Sequence, residues 1–365
     1  MKKTLYASLI LLALTFAVFS QKLGKPTLTA TVPTTEQRKK IDEGIVLHDA
    51  KKYEEAIAKY NAVLAESPDC TAAMYELAYS LHAKGSKLEA VEVANKGTRY
   101  ISDELPLFYV FMANNLDDLG KSADAIKIYT DGLKFLEGNP NFGGYRSILH
   151  FNLGITHIRL KNLSEARKSL KNAVENNFSY SSPNFQLAYV FSVTNYKIPA
   201  FLAACRFVSL EYNTNRTKPA VSAIMSTLKP PGKDPKSGNT VINLDFGGPT
   251  DEGDFGTVDM LLPMMLVSKD EKDKAKAKTD NEVFIEALDT AIGLLASDKK
   301  LASTFVGRTY VPFMVDMKRS GNLEAFAYMV LSLSGKQDVS PWLDANEAKL
   351  KSMIAWAKDY RLPVK

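Results

Sequence analysis

The stretch KKYEEAIAKYNAVLAESPD, residues 51–69, decides the fold. It carries apolar residues at helical spacing and stops at Pro68, whose ring and missing N–H block further helix. The same pattern returns downstream. Ala56, in EEAIAKY, is matched by Ala90, Ala125, Ala166 and Ala200, in steps of 34, 35, 41 and 34 residues. The small residue twelve positions earlier keeps the same steps: Gly44, Ala78, Ala113, Gly154 and Ala188. Two independent small-residue marks in one register establish an internal repeat.

Each unit has two apolar stretches at helical period separated by a polar break, such as HAKGSK (82–87) or DDLGKS (117–122). That is a helix pair. Small residues at both marks let the helices approach closely. One pair cannot bury its apolar face alone, so five stacked pairs are expected to share a continuous core. The longest step carries EGNPNFGGYR (137–146), rich in Gly and Asn, which reads as a loop.

The pattern resembles the tetratricopeptide repeat family, whose unit is about 34 residues. The first unit places Gly44, Ala56, Tyr60 and Pro68 in the family's positions; the third keeps Gly120, Ala125 and Tyr129. The second has Ala94 where a large aromatic is usual, and the fifth has Pro199 at the start of its second helix. The resemblance implies an all-α, right-handed helical solenoid over 36–215, followed by a smaller, mainly helical domain over 216–365. It also implies that the first helix of each pair lines a concave face. The lining then includes His48; Tyr75, Tyr79 and His82; Asn114 and Asp117; Phe151 and Ile155; and Phe185 and Tyr189. Lys, Arg and Asn, which clamp a terminal carboxylate in some members, are scarce there. A tyrosine with an apolar body and a polar tip suits peptide or sugar contact, although the same stripe would also serve as core under a neighbouring element.

Around the repeats, the chain of 365 residues is long enough for two domains or one array. Its net charge of +5, with both signs mixed along the sequence, provides no footprint for nucleic acid. MKKTLYASLILLALTFAVFSQK opens with two lysines and an apolar run over 5–19, short for a bilayer and suited to a signal segment ending at Ser20. Residues 21–35 read as a flexible linker. The expected compartment is a bacterial envelope, periplasmic or secreted. Cys70 and Cys205 lie about four repeats apart, beyond disulfide reach, so two buried free thiols are expected. His48 and His82 hold equivalent places in neighbouring repeats. His150 and His157 are seven residues apart on one helix, about 10 Å, too far to share one zinc. All four read as groove or packing histidines, with no metal and no cofactor.

After Asn215 the register is lost. KPPGKDPKSGN (229–239) is a connector, and TVINLDF (240–246) alternates as an extended segment. GGPTDEGDFG (247–256) gathers three carboxylates without the ordered spacing of a calcium loop, and Asp254 reads as a helix cap. MLLPMMLV (260–267) reads as a buried helix broken or kinked at Pro263, and KDEKDKAKAKTD (269–280) as solvated. A helix pair is expected to turn at SGN (320–322). A last helix should start with Ser340 as cap and Pro341 first, carrying a wide apolar stripe through Trp342, Met353, Trp356 and Tyr360. These helices are expected to pack on the last repeat. No nucleophile elbow, phosphate loop, zinc-protease helix or C-x-x-C is present. The sequence therefore points to a non-enzymatic scaffold or adaptor holding an envelope protein or peptide in an aromatic groove, with a glycan- or nutrient-binding protein as the alternative.

Overall fold

The computed structural model describes residues 23–363, except 233–235, 238, 243–247 and 273–277. The expected signal segment, most of the expected extended segment and part of the alternating-charge stretch lie outside the described residues. Among the described residues the structure is all-α apart from one two-stranded pairing. The chain divides into two compact units between Lys161 and Asn162.

The first unit holds α1 (Thr35–Asp49), α2 (Tyr53–Glu66), α3 (Thr71–Lys84), α4 (Lys87–Gly97), α5 (Leu105–Asp118), α6 (Ser122–Leu136) and α7 (Gly143–Arg159). The expected pairs α1–α2, α3–α4 and α5–α6 pack as antiparallel neighbours. A capping box starts α1: Thr34 Oγ1 accepts from Gln37 N–H, and Gln37 Oε1 accepts from Thr34 N–H at 3.1 Å. The small-residue marks sit where helices touch. Gly44 shows why: a Cβ there would lie 2.5 Å from the ring of Tyr60, itself fully buried. The marked alanines Ala56, Ala78, Ala90, Ala113 and Ala125 are all buried.

The structure adds a third mark in the same register. The first helix of each pair ends in a residue with left-handed backbone: Lys51, Gly85, Gly120, Lys161 and Asn195. Its N–H bonds three residues back, and in four of the five the next N–H reaches five back, as in Ser86 to Leu81 and Lys121 to Leu116. This closes the orphan carbonyls of a helix end and turns the chain in a fixed direction. Only two of the five are glycine, so the mark is hidden in the sequence.

Two details differ from expectation. Part of the expected loop over 137–146 is helix, because α7 already begins at Gly143. Arg146, in its first turn, donates to Leu136 O at 3.0 Å and Asn139 O at 2.6 Å, gathering the shortened loop onto the helix. Residues ahead of α1 run as an extended strap where the sequence suggests a free linker. Leu28–Thr29 (β1) pairs in parallel with Tyr100–Ile101 (β2), and Thr31 N–H bonds Asp69 O at 3.2 Å.

The second unit holds α8 (Leu163–Asn176), α9 (Ser181–Val193), α10 (Lys197–Leu210), α11 (Thr217–Thr227), α12 (Gly256–Lys272), α13 (Asp280–Ser297), α14 (Phe305–Arg319), α15 (Leu323–Leu333), α16 (Ser340–Ala345) and α17 (Glu347–Asp359). At its centre is α10, buried without interruption from Ile198 to Ser209. It is surrounded by α9, α11, α14 and α17, which explains why KIPAFLAACRFVSL is apolar on every side. The C-terminal helices thus pack on the last helix pair. Pro199 is accommodated in the first turn of α10, where its missing N–H costs nothing.

Arg206, on α10, is wholly buried. It donates Nη1–H to Ala357 O at 2.7 Å, in the last turn of α17, and Nε–H to Phe178 O at 3.2 Å, just past the end of α8. Its guanidinium lies 4.2 Å from the Phe178 ring centre and 4.5 Å from that of Phe313. A cation thus closes two helix C-termini, where the backbone dipoles favour positive charge. Burial holds its pKa down to about 9.

Three expectations for this region are corrected. The helix α12 continues through Pro263 without a break, and it is buried on one side only, with Val258, Leu262 and Leu266 buried but Met264 46% exposed. The last helix is two: Asn346 interrupts α16 and α17, and Val339 rather than Ser340 is the cap. Its buried stripe narrows to Met353, Ile354 and Ala357, because Trp342 stacks instead on Tyr328 at 4.1 Å and is only half-buried.

Candidate functional site

On the first unit, the face carried by α1, α3, α5 and α7 is built on rings. Tyr79 remains 47% exposed although it has ring neighbours on three sides. It stacks on His48 at 5.1 Å and on Tyr75 at 6.3 Å, and Phe111 tilts against it at 6.4 Å. Tyr75 meets Phe108 and Phe111 edge-on at 6.0 and 6.5 Å, which ties α3 to α5. His82 meets Phe111 edge-on at 5.9 Å. Edge-to-face and offset stacks are the favoured arrangements of aromatic quadrupoles, so the rings hold one another in place.

The polar groups among the rings are oriented. His48 Nδ1 shares a hydrogen bond of 2.7 Å with Ser80 Oγ. Asn115 donates to Phe111 O at 2.8 Å, leaving its carbonyl oxygen to accept from His82 Nδ1. Asn114 Oδ1 accepts from Tyr129 OH at 2.6 Å and from Asn152 Nδ2 at 2.9 Å. Asp117 is spent internally: Arg159 pairs with it at 2.8 Å, and Thr156 and Ser122 donate to it. Phe151 and Ile155, on α7, are half-buried.

The stretch also holds a carboxylate that the lining positions do not include. Glu76, one residue beyond Tyr75, is partly exposed and has no hydrogen bond or ion pair. Burial, and then the like charge of Asp49, push its pKa up. The sequence signal was available, since Glu76 is the sole acid between Thr71 and Lys84, on a helix whose other residues before Lys84 carry no acid or lysine. Of the other histidines, His150 is half-buried and its pKa falls to about 4, through desolvation and then the neighbouring Arg146. Cys70 is fully buried, and burial raises its thiol pKa.

On the second unit, Phe185 and Tyr189 part company. Phe185 packs on Phe207 at 4.9 Å, with the Arg216 guanidinium 5.4 Å away, and is half-buried structure. Tyr189 is 48% exposed. The acidic loop before α12 is engaged by cations. Glu252, only 3% exposed, pairs with Arg167 at 3.2 Å and Lys171 at 2.7 Å, and Asp251 pairs with Arg167 at 2.5 Å and accepts from Tyr196 OH. Asp254 accepts from Gly256 N–H at 3.0 Å, two residues on, at the entry to α12. Cys205 is fully buried, and burial raises its thiol well above the ordinary value. Among the described residues no group of three or more metal-ligating side chains is assembled.

Residues 41–103 and 148–180 match tetratricopeptide repeat family profiles. These two segments are tetratricopeptide repeats. No family profile covers the C-terminal third. Solved structures with similar repeats include a thermophilic tetratricopeptide-repeat protein of Thermus thermophilus, 17% identical, covering 52% of this chain and 99% of that one at a TM-score of 0.39. YrrB, described as a repeat protein with an unusual peptide-binding site, is 15% identical over 52% of this chain and 94% of its own, at 0.38. The C-terminal part of a repeat-containing protein from Cytophaga hutchinsonii is 12% identical over 83% of this chain and 99% of its own, at 0.40. No curated protein matches the chain. Tetratricopeptide repeats generally mediate protein–protein interactions, and the fold is typically a non-enzymatic scaffold.

Proposed function

We propose that the protein is an exported, non-enzymatic scaffold of a bacterial cell envelope that holds a partner protein or peptide against its tetratricopeptide repeats. The observation that carries the reading is Tyr79: a large ring fixed by its neighbours and yet half open to solvent. Tyr189 occupies the equivalent repeat position and is equally open. Rigid tyrosines with an exposed edge lose little entropy on contact and supply both apolar area and a hydroxyl. Export rests on the basic start and short apolar run of residues 1–20.

The test is a crosslinking capture from the native envelope with the full chain and a Tyr79→Ala/Tyr189→Ala variant of verified fold. Partners lost only from the variant are expected. Partners retained equally by both would remove the tyrosines from the function. A ligand that proves to be a sugar, seen as a thermal shift with a glycan panel, would replace this reading with the glycan-binding alternative.

A further inference from the structure

We infer that the repeat face of the first unit takes an arginine side chain of its partner, held against the Tyr79 ring and paired with the Glu76 carboxylate. The inference rests on the partner-binding reading above and specifies its chemistry.

The chain already builds such a set once, and completes it with its own arginine. In the second unit the Arg167 guanidinium lies 4.4 Å from the centre of the Tyr196 ring, with Asp251 at 2.5 Å and Glu252 at 3.2 Å. Ring, carboxylates and cation are all present there, and the set is closed. In the first unit two of the three parts stand together without the third. Tyr79 lies one turn on from Glu76 on α3, at the i,i+3 spacing that puts two side chains on one face, the like charge of Asp49 acts on Glu76, and among the described residues no cation pairs with it. A partly desolvated carboxylate without a counter-ion is costly. An incoming cation removes that cost.

The cations nearest in sequence do not fill the gap. Lys84, at the end of α3, pairs with Glu54 at 3.3 Å, and Lys52 pairs with Glu55 at 3.4 Å. Arg38 lies ten residues from His48 on α1, about 15 Å along the axis. Among the described residues neither Glu76 nor Asp49 has an ion-pair partner. Arginine fits better than lysine, because its planar guanidinium stacks on a tyrosine and bonds a carboxylate at the same time.

The experiment uses the full chain and fluorescence anisotropy at low salt with two labelled Gly/Ser peptides, one carrying arginine and the other citrulline in its place. Citrulline keeps the shape and loses the charge. The arginine peptide is expected to bind about tenfold more tightly. Glu76→Gln, whose fold is checked by melting, is expected to weaken it about fivefold while leaving the citrulline peptide unchanged. Tyr79→Leu should weaken the arginine peptide by a similar factor, and Tyr189→Ala should not. Equal affinity for the two peptides, failure of the arginine peptide to bind, or indifference to Glu76→Gln would overturn the inference. The two readings fail separately. A captured envelope partner that needs Tyr79 but ignores Glu76→Gln ends the arginine inference and keeps the scaffold. A partner that ignores both tyrosines ends the scaffold reading itself.

Discussion

Replacing Arg206 separates the two roles its side chain plays in the second unit. Holding the charge inside is expensive: a pKa held down to about 9 from 12.5 corresponds to on the order of 5 kcal/mol. The charge-assisted bonds to Phe178 O and Ala357 O return about 2–3 kcal/mol each, so the two effects nearly cancel. Arg206→Met keeps the stem between the Phe178 and Phe313 rings and removes the charge. It orphans two carbonyls, at about 1 kcal/mol each, for a loss of about 2 kcal/mol. Arg206→Ala orphans the same carbonyls and leaves a cavity, adding about 2 kcal/mol for a loss near 4. The assay is already present in the chain. Its only two tryptophans are Trp342 and Trp356, both in the second unit, and Trp356 stacks at 5.5 Å on Phe313, the ring beneath Arg206. Denaturant unfolding followed by tryptophan fluorescence therefore reads this unit alone. Equal losses in the two variants would refute the division into charge and volume. An unchanged midpoint in Arg206→Ala would refute the claim that the guanidinium fastens α17 to α10.

Glu76→Gln should raise the thermal midpoint of the first unit at neutral pH. A carboxyl whose folded pKa is raised favours the fold only while protonated, so its cost appears as pH rises through that pKa; the gain should vanish near pH 4, as circular dichroism melts at the two pH values will show. His150 acts in the opposite sense. Its folded pKa is depressed to about 4, so below about pH 6.5 the unfolded chain takes a proton that the folded one refuses, and stability is lost down to about pH 4. The loss reaches about 3 kcal/mol, and His150→Gln should flatten that limb of the stability–pH curve. Gly44→Ala places a Cβ 2.5 Å from the Tyr60 ring, which is buried and cannot yield; a loss of about 1–3 kcal/mol is expected from chemical denaturation, and a neutral result would mean that α1 and α2 are not in close contact there.

The helix pairs were legible because each needs small residues at fixed places, and the two marks of Gly and Ala are written directly in the sequence. The third mark, the left-handed turn, was not. Its hydrogen bonds are made by backbone, so Lys51, Lys161 and Asn195 serve where Gly85 and Gly120 do, and side-chain identity carries little signal. The ring face was half legible. Helical spacing placed Tyr75, Tyr79 and His82 on one side of α3, but Phe111 joins them from a position outside the lining register, through contact between helices rather than along one. Phe185 shares its repeat position with Tyr75, and the Arg216 guanidinium beside it, from a distant part of the sequence, turns it into packing. In the C-terminal third, α12 and α17 were misjudged for one reason: an apolar run states how much surface could be buried, and only the neighbouring helices decide how much is.

The two thiols give the molecule a pair of clocks. Cys70 sits in the first unit and Cys205 in the second, each with no exposed surface. A thiol in that state reacts only when its surroundings open, and a raised pKa keeps it inert in the meantime. At reagent concentrations where labelling outpaces reclosing, the rate at which each cysteine is labelled is then the opening rate of its own surroundings, read at native conditions. In an oxidising compartment the same rates set how long the chain survives with its thiols intact, so the durability of each unit is governed by its breathing rather than by the chemistry of its sulfur.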